Sequence, residues 1–313
     1  MRILFLIIGV LLTITNCSIQ NVNNPRNENI VNTGKEYLSS KNYDSRGNSQ
    51  VRFLVLHYTS SNWKRSLQLL RLPEYEVSSH YLIPETSDHS YRKTELDIYQ
   101  LVDETNRAWH AGKSRWEDGK NINDQSIGIE LVNRSKCYYQ EDNEKLDYKN
   151  DYLCIFPDYD PLQIQLLIKL TQDILQRYPA ITPTRIIGHA DIQPKNKSDP
   201  GPQFPWFTLY NNGIGAWYDN ETVHKFWLRY SQQPIPSPLA VQCALSSYGY
   251  GIEVTGVNDE QTFDIIRAFQ MHFTPWQTNG EIDISTVSTL WALLEKYFPE
   301  SFDDEGELLC RNN

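Results

Sequence analysis

Three side chains able to hold or activate something stand where elements of this 313-residue chain are expected to end. His57 closes the apolar run that begins at Val51, His189 sits in Ile187-Gly188-His189-Ala190-Asp191, and Asp199 sits in Lys197-Ser198-Asp199-Pro200-Gly201. Two imidazoles and a carboxylate with a fourth position open form a known catalytic zinc set. A histidine at a strand end is also commonly a hydrogen-bonded core or surface residue, so spacing alone leaves both readings open. A further carboxylate stands out in Ser126–Val132, where Ile127, Ile129 and Leu131 share one face and Glu130 takes the other. Burying a carboxylate on such a strand is costly unless it has a partner or a task.

The elements that must position these groups are legible as patterns. Val51, Phe53, Val55 and His57 share one parity of a strand-like run. Asp160-Pro161 opens a helix, with Asp as N-cap and Pro at the first helical position. Its apolar stripe takes Leu167, Leu170 and Ile174, with Leu166 beside it, and Tyr178-Pro179 ends it. Strands interleaved with helices predict an α/β domain over 51–230. The prolines of 231–238 read as a linker. Beyond it, helical stripes at Val241–Leu245, Thr262–Phe269 and Val287–Leu294 are separated by glycine-containing turns at Tyr248–Gly251 and Gly280. They predict a small three-helix bundle over 239–300, built around Ile265, Phe269, Leu290 and Leu294. The acidic residues of 301–313 read as a solvated tail. Two domains also suit a chain of this length.

Composition narrows the partners. With 29 Lys+Arg against 39 Asp+Glu the formal charge is −10, which argues against nucleic-acid binding through phosphate neutralisation and against electrostatic docking on anionic lipid. The 8 Trp and 19 Tyr fit packed cores and hint at carbohydrate or peptide-like ligands. At the N-terminus, Met1-Arg2 precedes an apolar run from Ile3 to Leu12, too short to span a bilayer and laid out as a secretory signal over 1–17. Cys17 directly after it resembles the lipidated cysteine of a bacterial lipobox, although Asn16 stands where a small residue is usual. Residues 18–50, rich in Asn, Ser, Lys and Gly, read as a flexible tether. Cys137, Cys154, Cys243 and Cys310 are an even number in an exported chain, which favours disulfides. Three pairings are open, and the division into two domains prefers Cys137 with Cys154 and Cys243 with Cys310. Closing the first of these loops is worth about 3 kcal/mol in the chain-entropy model.

Five ordered blocks carry a resemblance. His57-Tyr58-Thr59, Trp109-His110-Ala111-Gly112, Ser126-Ile127-Gly128-Ile129-Glu130, Gly188-His189-Ala190-Asp191 and Lys197-Ser198-Asp199-Pro200-Gly201-Pro202 look like those of the type 2 N-acetylmuramoyl-L-alanine amidases. These are zinc peptidoglycan amidases related to phage amidases and peptidoglycan recognition proteins. Phe204-Pro205-Trp206 and Gly213-Ile214-Gly215-Ala216-Trp217 are similar to the AmiD-type lipoprotein subgroup. The resemblance implies a central mixed β-sheet flanked by helices, with one Zn2+ held by His57, His189 and Asp199. It also implies a catalytic acid at Glu130 and an oxyanion-stabilising lysine at Lys197.

Trp109 and His110 fall beside the implied cleft as pocket residues, with a core tryptophan and a hydrogen-bonded histidine as the competing reading; His80 is left out of the site. The insertion Arg134–Pro157 is a candidate lid or wall, or a plain surface loop. Tyr248-Gly249-Tyr250, Thr255-Gly256-Val257, Ala268–Phe273 and Gly280-Glu281-Ile282-Asp283 resemble a peptidoglycan-binding three-helix domain, whose alternative is a structural bundle packed on the catalytic part. The implied reaction is cleavage of the amide between N-acetylmuramic acid, or its 1,6-anhydro form, and L-alanine of the stem peptide, in cell-wall turnover or recycling. The implied location is the periplasmic face of the outer membrane, reached through a lipid on Cys17, with Ser18 suiting that sorting. The rival is a non-catalytic peptidoglycan-binding protein of the same fold, against which Asp199, Glu130 and Lys197 all count. Because peptidoglycan is itself anionic, recognition by a chain of charge −10 must rest on zinc, fixed polar groups and aromatic surface.

Overall fold

The computed structural model describes residues 41–139 and 152–310. Cys17, the signal segment and the tether up to residue 40 lie outside the described residues, as do residues 311–313.

The two apolar runs form the centre of a five-stranded sheet. Strand β1 is Phe53–Tyr58, β2 Tyr81–Ile83, β3 Tyr99–Gln100, β4 Ser126–Leu131 and β5 Ile186–Gly188, in the order β5-β1-β4-β2-β3. The pairings β5–β1, β1–β4 and β4–β2 are parallel and β2–β3 is antiparallel, so the sheet is mixed. Phe53, Leu54, Val55 and Leu56 are all fully buried, as strands covered on both faces must be. Helix α1, Trp63–Arg71, follows β1, and its N-cap Asn62 accepts a hydrogen bond from the Arg65 amide. Helix α2, Pro161–Arg177, starts as expected, with Asp160 accepting from the Leu162 amide, and it buries Ile164, Leu167, Leu170 and Ile174. The Gln163 amide nitrogen donates to the carbonyls of Ile83 and Val132, which secures the ends of β2 and β4.

The register carries the functional consequence. Leu56 pairs with Gly188 on one side and Ile129 on the other, and His57 lies directly opposite Glu130. The carboxyl ends of β5, β1 and β4 therefore deliver His189, His57 and Glu130 to one edge of the sheet, where open α/β sheets bind ligands.

After the single turn α3, His189–Ile192, come α4 (Trp206–Asn211), α5 (Asn220–Gln232), α6 (Pro238–Tyr248), α7 (Glu260–Phe273) and α8 (Ile284–Tyr297). The last three are the expected helices. One apolar cluster runs without interruption from Phe53, Leu56 and Ile129 through Trp206 to Leu245, Phe269 and Leu290. Helix α5 packs along α8, with Tyr230 edge-on to Trp291. The proline-rich segment thus divides the chain but not the core. Trp116 is one wedge between the two parts: it is buried, donates through Nε1 to the Thr184 carbonyl at 3.1 Å and lies against Gly249. Gly249 has φ of 132°, and a Cβ there would lie 2.8 Å from Trp116 Cε2, so only glycine fits.

Two sequence expectations need correction. Residues 41–50 are not tether: Asp44–Ser45 pairs with Asn106–Arg107, and Asn42 and Arg46 are buried. Asn42 donates to the carbonyls of Leu70 and Val77, and Arg46 to those of Glu104, Asn123, Asp124 and Asn106. These polar side chains satisfy buried backbone, a role that composition does not reveal. The acidic segment from residue 301 to 310 is not a free tail either. It turns back through a bridge between Phe302 and Leu308, and Glu307 pairs with Arg229. Cys310 is bonded to Cys243 there. The other disulfide joins Cys137 to Cys154, which face each other across the antiparallel strands Lys136–Tyr139 and Tyr152–Ile155.

Candidate active site

His57 Nδ1, His189 Nδ1 and Asp199 Oδ2 converge. The separations are 3.1 Å between the two nitrogens, 2.8 Å from His57 to Asp199 and 3.1 Å from His189 to Asp199. All three residues are buried, and together they form the floor of a cleft of about 440 Å3. Among the described residues this is the group of histidine, cysteine and carboxylate side chains able to hold a metal ion. Backbone geometry keeps two of them together, since the Ala190 amide donates to the Asp199 carbonyl at 2.8 Å. The Tyr159 hydroxyl holds the next carbonyl, that of Pro200, at 2.8 Å.

The protonation states suit a cation. Burial pulls His57 down to about 4, against the hydrogen bond that the Asp199 carboxylate accepts, and leaves the imidazole neutral at neutral pH. Burial alone would raise Asp199, but the charge and hydrogen bond of His189, followed by those of His57, hold it well below the ordinary carboxylate range. Two imidazole nitrogens and one carboxylate oxygen, with the fourth side open to the cleft, fit a tetrahedral divalent ion.

Glu130 stands beside this triad with a different character. Burial first, then the negative charge of Asp199, push its carboxyl up to about 8, with Lys197 pulling the other way. Its Oε2 is buried and has no hydrogen-bond partner among the described residues. Lys197 is exposed at the rim of the same cleft.

His110 changes role. It touches the cleft, but both ring nitrogens are committed to protein: Nδ1 lies 3.1 Å from His57 Nε2, and Nε2 lies 3.1 Å from Ser126 Oγ. A His57 that offers its Nδ1 lone pair carries its proton on Nε2, so it donates to His110, which in turn donates to Ser126. His110 therefore orients the His57 ring, with both of its own ring nitrogens engaged. The site demands Gly128, because a Cβ there would lie 2.5 Å from His110 Cγ. Trp109 does line the cleft, with its indole nitrogen donating to Asp44 at 2.7 Å. His80 is buried beside His110, its Nδ1 accepting from the Gly128 amide.

The base of the Arg134–Pro157 insertion forms a wall: Lys136 and Cys137 line the cleft, and Cys137 Sγ lies 3.4 Å from Ser198 Oγ. Its central residues, 140–151, lie outside the described residues. Sequence reasoning missed Ser126, Tyr159 and the Tyr58–Ser198 hydrogen bond of 2.6 Å. Their only signal is adjacency to a motif, Ser126 opening the Glu130 strand and Tyr58 following His57.

Comparison with known proteins agrees with this geometry. The sequence profile of the N-acetylmuramoyl-L-alanine amidase family matches residues 47–202, and that of a peptidoglycan binding domain matches residues 236–290. The N-acetylmuramoyl-L-alanine amidase AmiD of Escherichia coli K12 is 42% identical over 250 residues, covering 79% of this chain and 84% of that one. The crystal structure of AmpDh3 from Pseudomonas aeruginosa superposes with a TM-score of 0.72 at 39% identity, covering 92% of this chain and 99% of the other. Escherichia coli AmiD in complex with anhydro-N-acetylmuramic acid-L-Ala-D-γ-Glu-L-Lys gives a TM-score of 0.65 at 38% identity, covering 83% and 93%. With this fold, this site and these relatives, the chain belongs to the N-acetylmuramoyl-L-alanine amidase family.

Proposed function

We propose that this chain hydrolyses the amide between N-acetylmuramic acid, or its 1,6-anhydro form, and L-alanine of the peptidoglycan stem peptide, with one zinc ion held by His57, His189 and Asp199. The observation that carries the reading is the convergence of those three donors within 3.1 Å of one another, with Glu130 in register beside His57.

A zinc ion bound there supplies Lewis acidity toward a carbonyl oxygen and lowers the pKa of water. The protein does the rest. Glu130 removes the proton of the attacking water and returns it to the departing alanine nitrogen, since an amine leaves poorly unprotonated. Burial raises the proton affinity of that carboxyl, to about 8 in the chain without a cation, and a cation held beside it pulls the other way, toward the ionised form that the first step needs. The Lys197 ammonium faces the oxygen that gains negative charge as the carbonyl is attacked. His110 fixes the His57 ring, and Trp109 with the wall at Lys136 and Cys137 bounds the bound glycopeptide. Incubating the purified chain with muropeptides and identifying the products by mass spectrometry tests the reading. Free stem peptide with an N-terminal alanine is expected, whereas release of single D-amino acids or of shortened glycans contradicts it.

The assignment places the protein in the bacterial cell envelope. No helix of the described residues is long and apolar enough to cross a membrane. We read Cys17 as a lipid anchor to the outer membrane on the layout of the signal segment. Mass spectrometry of the mature N-terminus decides it: diacylated Cys17 is expected, and a mature chain starting at unmodified Ser18 or later rejects it.

A further inference from the structure

We infer that the C-terminal helices complete the metal-binding turn, with Tyr250 and His272 acting as positioning residues for His189 through Asp191. The inference rests on the proposed role of His189 as a metal ligand.

The two histidine ligands are supported unequally. The His57 ring is held through its second nitrogen by His110. The second nitrogen of His189, Nε2, is buried and has no hydrogen-bond partner among the described residues. No described side chain fixes that ring from behind, so its placement falls to the backbone of α3, a helix of only four residues. Such a short turn does not hold itself. It is fixed by Asp191, whose Oδ2 accepts the Gly188 amide at 2.7 Å and so closes the turn around His189.

Asp191 is itself held from the C-terminal part of the chain. Tyr250 donates its hydroxyl to Asp191 Oδ1 at 2.8 Å, and His272 Nδ1 lies 2.8 Å from Asp191 Oδ2. These partners stand 59 and 81 residues further along the chain. Both are locked by packing. The His272 ring stacks on Trp206 with centroids 3.7 Å apart, and Tyr250 lies edge-on to Trp116 at 4.7 Å. Asp191, Tyr250 and His272 are all buried, so no water replaces a lost partner cheaply. Any slack in Asp191 passes to Gly188 and Ala190, and the Ala190 amide is the group that ties α3 to the Asp199 carbonyl. The helical module is thus part of the catalytic scaffold whether or not it touches the wall.

The test uses the full chain and three substitutions. Tyr250→Phe removes one hydrogen bond and leaves the ring in place. His272→Leu removes the other, while His272→Asn keeps an N–H donor near the position of Nδ1. Zinc affinity is read by competition with a chromophoric chelator, and exchange of the Gly188 and Ala190 amides is read in metal-free protein. Tyr250→Phe and His272→Leu are expected to weaken zinc binding about 10-fold or more, the usual cost of losing an outer-shell partner, and to speed exchange of both amides. His272→Asn is expected to recover most of both losses. Zinc affinity within about twofold of wild type in Tyr250→Phe and His272→Leu overturns the inference, whatever happens to exchange or thermal stability, because a purely interfacial role moves only those. If the wild-type chain binds no zinc, the metal reading itself fails, and unchanged amide exchange then rejects the Asp191 clamp separately.

Discussion

Replacing Glu130 by Gln is expected to lower kcat by about 10²–10⁴-fold while leaving metal content intact, because the substitution keeps the shape of the side chain and removes only its proton transfer. Steady-state release of stem peptide together with metal analysis of the same preparation checks both halves. A variant that loses metal as well would make Glu130 a ligand or a structural partner. The same substitution has an opposite effect on stability in chain stripped of metal. The Glu130 carboxyl rises from 4.5 to about 8 on folding, chiefly through burial. Below 4.5 the group is protonated in both states and contributes nothing to the pH dependence. As pH rises toward 8 the unfolded chain ionises and the folded chain does not, so folding takes up a proton and wild-type stability falls. Glu130→Gln should therefore raise the thermal midpoint of the metal-free protein at pH 8 and have little effect at pH 4.5. Equal effects at the two pH values would show that Glu130 is not held neutral by its surroundings.

Asp199→Ala is expected to abolish stoichiometric metal binding, costing more than the roughly 10–100-fold typical of an outer-shell partner. The Asp199 carboxylate is the one anionic donor of the three, and its loss leaves two buried imidazoles 3.1 Å apart with nothing to balance a cation. Trp109→Ala is the control. Trp109 lines the same cleft, but its indole nitrogen bonds Asp44 and it offers no ligand atom. It should raise KM and retain metal. Equal metal losses in the two variants, measured after dialysis, would discredit the ligand assignment.

Much of the fold is legible in the sequence. The apolar parity of Val51–His57 and the solitary carboxylate of Ser126–Val132 mark the two strands that lie side by side, and Asp160-Pro161 marks the start of helix α2. The facing of His57 and Glu130 was not legible, because parallel register is set by packing on both faces and leaves no trace in one strand alone. The cost of Glu130 was visible; the burial that raises its carboxyl was not. Residues 41–50 resemble a tether only by composition, since Asn42 and Arg46 are polar yet serve backbone carbonyls inside the fold. For His110 the sequence leaves a pocket residue and a hydrogen-bonded histidine both open, since only the fold shows that both ring nitrogens are engaged. The least legible feature was the shared core. The proline-rich segment reads as a boundary, and nothing local to Asp191 reveals that its hydrogen-bond partners are Tyr250 and His272.

The central claim, that this cleft cuts an amide with a metal held by His57, His189 and Asp199, is tested most directly by measuring stem-peptide release before and after chelation of the purified chain. One zinc per chain at the start, loss of activity with loss of the metal, and recovery when zinc is restored are the expected results. An unchanged rate in metal-free protein would contradict the claim.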